Sequence, residues 1–151
     1  MLQMPPLIRR LSLLGMIVSV LPLAACSQHD SHAAHGDHPA QIDKIEGSEL
    51  SRVTLTERAA ERIGLETISV REQELDGSLR QVVPYSSLIY DPQGRTWIYT
   101  SPQARTFVRQ QVEVDTIDGD WVLLIDGPPA GTEIASVGVA EIYGAETGVG
   151  H

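Results

Sequence analysis

From Leu65 to Val139 the sequence is a succession of short β-branched runs, each closed by turn-forming residues. Leu65-Glu66-Thr67-Ile68-Ser69-Val70 leads to the Asp76-Gly77 pair, and Leu79 to Val83 ends at Pro84. Ser87-Leu88-Ile89-Tyr90 and Thr96-Trp97-Ile98-Tyr99-Thr100 flank Asp91-Pro92-Gln93-Gly94, which has the Asp, Pro and Gly positions of a type I turn. Thr106 to Val114, with Val108, Val112 and Val114 along it, is answered by Trp121 to Ile125 across Asp118-Gly119-Asp120. Gly127 to Gly131 reads as a loop, and Thr132 to Val139 as a last strand. Such runs suit a pleated, half-buried surface and leave no room for a long helix. The one short helix expected is Glu57 to Ile63, capped by Thr56 or Thr54 and stopped at Gly64, after a strand at Val53-Thr54-Leu55. The fold class is therefore mainly β: a compact barrel or sandwich-like domain of about seven strands over residues 51–146, with 147–151 a frayed tail.

The N-terminal part reads differently. Arg9-Arg10 precedes the apolar run Leu11 to Leu21, which is short for a bilayer span (about 20 residues) but has the order of a secretory signal. Leu23-Ala24-Ala25-Cys26 resembles the lipobox of bacterial lipoproteins, which implies removal of residues 1–25 and lipid attachment to Cys26. Cys26 is the single cysteine, so no intramolecular disulfide and no cysteine-based zinc site is expected. Losing residues 1–25 would remove two of 11 basic residues and none of 20 acidic ones, leaving a net charge of −11. A chain this acidic has no electrostatic grip on nucleic acid and is repelled by anionic lipid, so acyl chains would have to hold it to the membrane. Residues 26–50 are rich in His, Asp, Ala, Ser, Gln and Gly and poor in large apolar groups, and read as a flexible tether. A coil of about 20 residues has a mean reach of roughly 25 Å, which places the domain close to a membrane at the cell envelope, facing the periplasm or cell exterior.

Several segments taken together resemble a known family. Val53-Thr54-Leu55-Thr56 through Ile63-Gly64-Leu65-Glu66-Thr67 is similar to the opening strand, helix and strand of the periplasmic adaptor subunits (membrane fusion proteins) of resistance-nodulation-division efflux pumps, especially the heavy-metal branch. Val83-Pro84-Tyr85-Ser86-Ser87-Leu88-Ile89-Tyr90 resembles that family's Val-Pro return strand. Gly94 to Tyr99, Phe107-Val108-Arg109 with Val112-Glu113-Val114, and Gly131 to Gly138 fit the strands that follow. Full adaptors insert a lipoyl-like domain and a helical hairpin before the return strand, whereas here only Arg71 to Ser78 makes the link. The resemblance thus implies a membrane-proximal domain alone, acting without catalysis and docking on a transporter or another adaptor.

Candidate site residues are few. His29, His32, His35 and His38 recur every third residue beside Asp30 and Asp37, and neutral imidazoles are good ligands for Cu or Zn ions. Such binding would weaken as the pH falls through the ordinary imidazole value, about 6.5. The alternative is a solvated linker whose histidines have no role. Trp97, Tyr99 and Trp121 are expected in the core or in cross-strand packing. Asp115, Asp118, Asp120 and Asp126 suit hairpin turns and solubility rather than a calcium loop. No enzymatic motif is present: there is no nucleophile elbow and no phosphate-binding glycine loop, and every histidine lies in the tail or at His151, away from Ser86 and Ser87. No resident cofactor is expected.

Overall fold

The computed structural model describes residues 38–75 and 77–148. The signal-like segment 1–25, Cys26, His29, His32 and His35 lie outside the described residues.

Eleven strands and two helices follow in order: β1 (Ala40–Lys44), β2 (Ser51–Leu55), α1 (Glu57–Ile63), β3 (Glu66–Ser69), β4 (Arg71–Leu75), β5 (Ser78–Pro84), β6 (Ile89–Tyr90), β7 (Thr96–Gln103), β8 (Thr106–Gln111), β9 (Glu113–Asp118), β10 (Trp121–Asp126), β11 (Glu133–Val137) and α2 (Val139–Thr147). They form a seven-stranded sheet ordered β1-β2-β8-β7-β11-β3, with β6 also on β7, and a four-stranded sheet ordered β4-β5-β10-β9. Neither closes into a barrel, so of the two architectures expected the sandwich is the one adopted.

The alternation of β7 explains the layering. Trp97 and Tyr99 point to one face and join Val53, Leu55, Phe107 and Ala135 with Ala59 and Ala60 of α1 and Val139 and Ile142 of α2. Ile98 points to the other face and meets Ile134 together with Val83, Val122 and Leu124 of the four-stranded sheet. The seven-stranded sheet is therefore covered by helices on one side and by the second sheet on the other. Tyr99, Phe107, Ile98 and Ile134 are fully buried. Burying a side chain of this size stabilises by about 1.5–3 kcal/mol.

Local chemistry accounts for the joints. Thr56 caps α1, its Oγ1 accepting from Ala59 N at 3.2 Å, and Gly64 ends it in the left-handed conformation at φ 61°. The Asp91 turn joins β6 and β7 as expected: Gly94 N donates to Asp91 O at 2.9 Å and Gln93 N to Asp91 Oδ1 at 3.0 Å. Leu75 pairs with Ser78, so β4 and β5 form a tight hairpin, with Gly77 at φ 75°.

Four features depart from the expectation of about seven strands and one helix. The run Thr106 to Val114 is not one strand: it divides at Val112 into β8, on the seven-stranded sheet, and β9, on the four-stranded sheet. β1 lies within the stretch read as tether; it pairs with β2 from Ala40↔Leu55 to Lys44↔Ser51. As a sheet edge it is held by backbone hydrogen bonds and needs no apolar face, so its composition hides it. β4 is exposed along its whole length and equally lacks an apolar signal. α2 replaces the end of the last strand. Gly138, at φ 82°, turns the chain there, and a Cβ on it would come within 2.8 Å of Ile63 Cδ1.

Because Phe107 stands between β2, β7 and α2 with no exposed surface, Phe107→Ala is expected to cost about 3–5 kcal/mol in urea unfolding of the full chain. A cost below about 1 kcal/mol would contradict burial at that position.

Candidate functional site

The outer face of the four-stranded sheet is where the fold leaves apolar and charged groups together in solvent. On β10, Val122 and Leu124 face the inter-sheet core and Leu123 is buried as well, whereas Trp121 and Ile125 are exposed. Across the ladder Leu123 opposes Val82 and Trp121 opposes Pro84, while Arg71 of the edge strand opposes Val82. The Arg71 guanidinium lies 5.3 Å from the Trp121 ring centre, and Arg80 Nε is 3.5 Å from Asp115 Oδ2. Trp121 keeps 38% of its surface exposed, and Ile125 52%. Beside them Arg71, Glu72, Gln73, Val82 and Trp121 line a cavity of about 240 Å³. Tryptophan and arginine over aliphatic neighbours, rimmed by charge, are the composition of a protein-binding patch.

On the helical side a buried polar network pins α2 to the seven-stranded sheet. Tyr99 Oη donates to Glu146 Oε2 at 2.5 Å, and Ser51 N donates to Glu146 Oε1 at 3.4 Å. Arg109 Nε lies 3.3 Å from Glu146 Oε2, an ion pair whose N–H is not aimed at the oxygen, so Nε makes no hydrogen bond. The same guanidinium is 4.5 Å from the Trp97 ring centre and 5.7 Å from that of Tyr143. Burial, and then the Glu146 carboxylate, push the Tyr99 phenol far above its ordinary pKa, so it stays a donor.

Asp91 is the hub of the β6–β7 turn. Arg95 N donates to its Oδ1 at 2.9 Å, while Arg95 Nε at 2.6 Å and Trp97 Nε1 at 3.0 Å donate to Oδ2. Burial works to raise this carboxyl, but the Arg95 backbone N–H, the Trp97 indole and the Arg95 guanidinium outweigh it and bring the pKa to about 2.

The residues singled out from sequence fare unequally. Trp97 and Tyr99 are in the core as expected, whereas Trp121 is cross-strand but partly exposed. Asp115, Asp118, Asp120 and Asp126 are exposed on or beside the β9–β10 hairpin. His38 is exposed just before β1 and lines a cavity of about 400 Å³ with Ala40, Gln41, Thr54, Leu55 and Thr56. Among the described residues no group of three or more His, Cys, Asp or Glu is placed to hold a metal ion. Ser86 is exposed, and Ser87 is buried with its Oγ unpartnered. Sequence reasoning missed the Arg109–Glu146–Tyr99 network. The signal was present as Val139, Ile142, Tyr143 and Glu146 at helical spacing, interrupted by Gly144. Among the described residues no helix is long and apolar enough to cross a membrane.

No family model matches the chain, and no curated protein matches it. One solved structure is partly similar: the NMR structure of the N-terminal metal-binding site and membrane-proximal domain of SilB from Cupriavidus metallidurans CH34, at TM-score 0.43 and 22% identity. The match covers 51% of this chain and 42% of that one, so less than half of the neighbour's length is represented.

The Asp91 arrangement carries a pH signature. Its folded pKa, about 2, is below the ordinary aspartate value of 3.8, so its stabilisation is complete above pH 4 and is lost as the pH falls through 2. Asp91→Asn is therefore expected to be less stable than the natural chain near neutrality, with the gap closing between pH 4 and 2 in urea titrations. A gap that stays constant over that range would contradict the assignment.

Proposed function

We propose that this chain is an adaptor-type envelope lipoprotein without catalytic activity, anchored through Cys26, whose β-domain docks on a transporter or another adaptor. The observation that carries the reading is the β4–β5 hairpin. The family-like segments before and after it fall on elements of one folded body, and between them the chain turns back on itself between Leu75 and Ser78. At this place the family resembled in sequence departs into its long arm. A domain with so short a link acts through its own faces, and exposed Trp121 and Ile125, with Arg71 over the Trp121 ring, supply one. Affinity would come from burying Trp121 as an anchor, with Arg80, Asp115 and Asp118 setting orientation at the rim.

Affinity capture from native membranes, with the full chain as bait, is expected to recover an integral transporter or adaptor subunit. Trp121→Ala should reduce that recovery while leaving the unfolding curve within about 1 kcal/mol, as for a half-exposed site. Failure to recover any such subunit with intact bait contradicts the docking reading.

A second reading rests on His38. That residue lies two positions before β1 and lines the 400 Å³ cavity. The reading is a segment that binds Cu or Zn ions and presents them to the docked partner. In titration calorimetry the full chain should take up Cu(II) or Zn(II) with heat that disappears when His29, His32, His35 and His38 are all replaced by Ala. Equal heat from both proteins rules the segment out.

A further inference from the structure

Nine described backbone positions lie in the left-handed region; eight are glycines and the ninth is Arg105, at φ 59°. A Cβ is disfavoured there by contact with the backbone carbonyl, which is why glycine is the usual occupant. Arg105 belongs to the turn joining Gln103 and Thr106, which pair across β7 and β8. Its carbonyl accepts from Leu55 N at 2.9 Å, a bond that any residue would make. Its guanidinium, like those of Arg52, Arg58 and Arg62, enters none of the ion pairs or cation–π contacts formed among the described residues. The strained residue thus keeps a side chain that the domain itself does not use.

That side chain borders a cavity. β11 pairs with β7 at Ile134↔Thr100, and past Thr100 the β7–β8 register shifts. A cleft of about 420 Å³ is left between the hairpin tip and β3, lined by Arg105, Gln103, Ser101, Thr67, Leu65 and Glu133. Glu133 is already engaged by the Ser69 hydroxyl, and Ser101 Oγ donates to Gln103 O at 3.0 Å. The Thr67 hydroxyl, the Gln103 side-chain amide and the Arg105 guanidinium enter none of the hydrogen bonds found among the described residues.

We propose that this cleft is a binding site for a small oxyanion, a carboxylate or phosphate group, gripped by Arg105. A guanidinium offers a planar fork of donors that matches two oxygens of such a group, and the Thr67 hydroxyl and Gln103 amide provide further hydrogen bonds. Glu133 polarises the cleft, so the anionic group sits at the Arg105 end and any amine or hydroxyl of the ligand at the Glu133 end. This site stands independently of the adaptor reading.

The test is a heteronuclear NMR titration of the full chain with inorganic phosphate and, separately, with acetate. Saturable shifts of the Thr67, Ser101, Gln103, Arg105 and Glu133 amides are expected, reaching half-saturation at or below roughly 10 mM, the range of weak single-site binding. Arg105→Gly should relieve the strained turn and raise the melting temperature while weakening phosphate binding by about tenfold or more; Arg105→Lys, which keeps the charge but loses the fork, should fall between. Undiminished binding by Arg105→Gly, a melting temperature that drops in that variant, or no saturable shift of those amides with either anion would each overturn the proposal.

Discussion

β7 is buried from both sides, and the other elements find their places around that fact. A strand whose odd positions meet helices and whose even positions meet a second sheet cannot slip by one residue without exchanging Trp97 and Tyr99 for Ile98. Ala59 and Ala60 of α1 are the small side chains that the helix buries in the same cluster, with Val53 and Leu55 of β2.

Polar groups then fix what apolar burial leaves free. Hydrophobic contact alone would let α2 slide along the sheet. Glu146 prevents this by meeting Tyr99, Ser51 and Arg109 at once. A buried ion pair is weak evidence of net stability, because desolvation offsets the attraction, but it penalises every other docking of the helix. Asp91 plays the matching role at the entry to β7, binding its own turn, Arg95 and the Trp97 indole.

What was legible in the sequence follows from these forces. The Asp91 turn, the Thr56 cap, the Gly64 stop and the turn at Asp118-Gly119-Asp120 were readable because each rests on local chemistry confined to a few neighbouring residues, whereas the break at Val112 that hands the chain from one sheet to the other was not. The edge strands β1 and β4 were not, since an edge pays no tribute to hydrophobic pattern and is set by a partner distant in the chain. For β10 the continuous run Trp121-Val122-Leu123-Leu124-Ile125 announced a strand but hid which face is covered. Arg105 carried no sequence signal, because a left-handed arginine looks like any other until the backbone is known. The lipid anchor and three of the four tail histidines were proposed from sequence and lie outside the described residues.

The resulting picture is of a short β-body of two packed sheets with helices over the larger one. Its central claim is that Ile98 sits between the two sheets while Phe107 lies under α2. Methyl and aromatic NOE spectroscopy on the isotopically labelled full chain addresses this directly. The account predicts cross-peaks from Ile98 to Val83 and Val122, and from the Phe107 ring to Ile142. Ile98 cross-peaks to Ala59 or Ile142, with none to the second sheet, would contradict it.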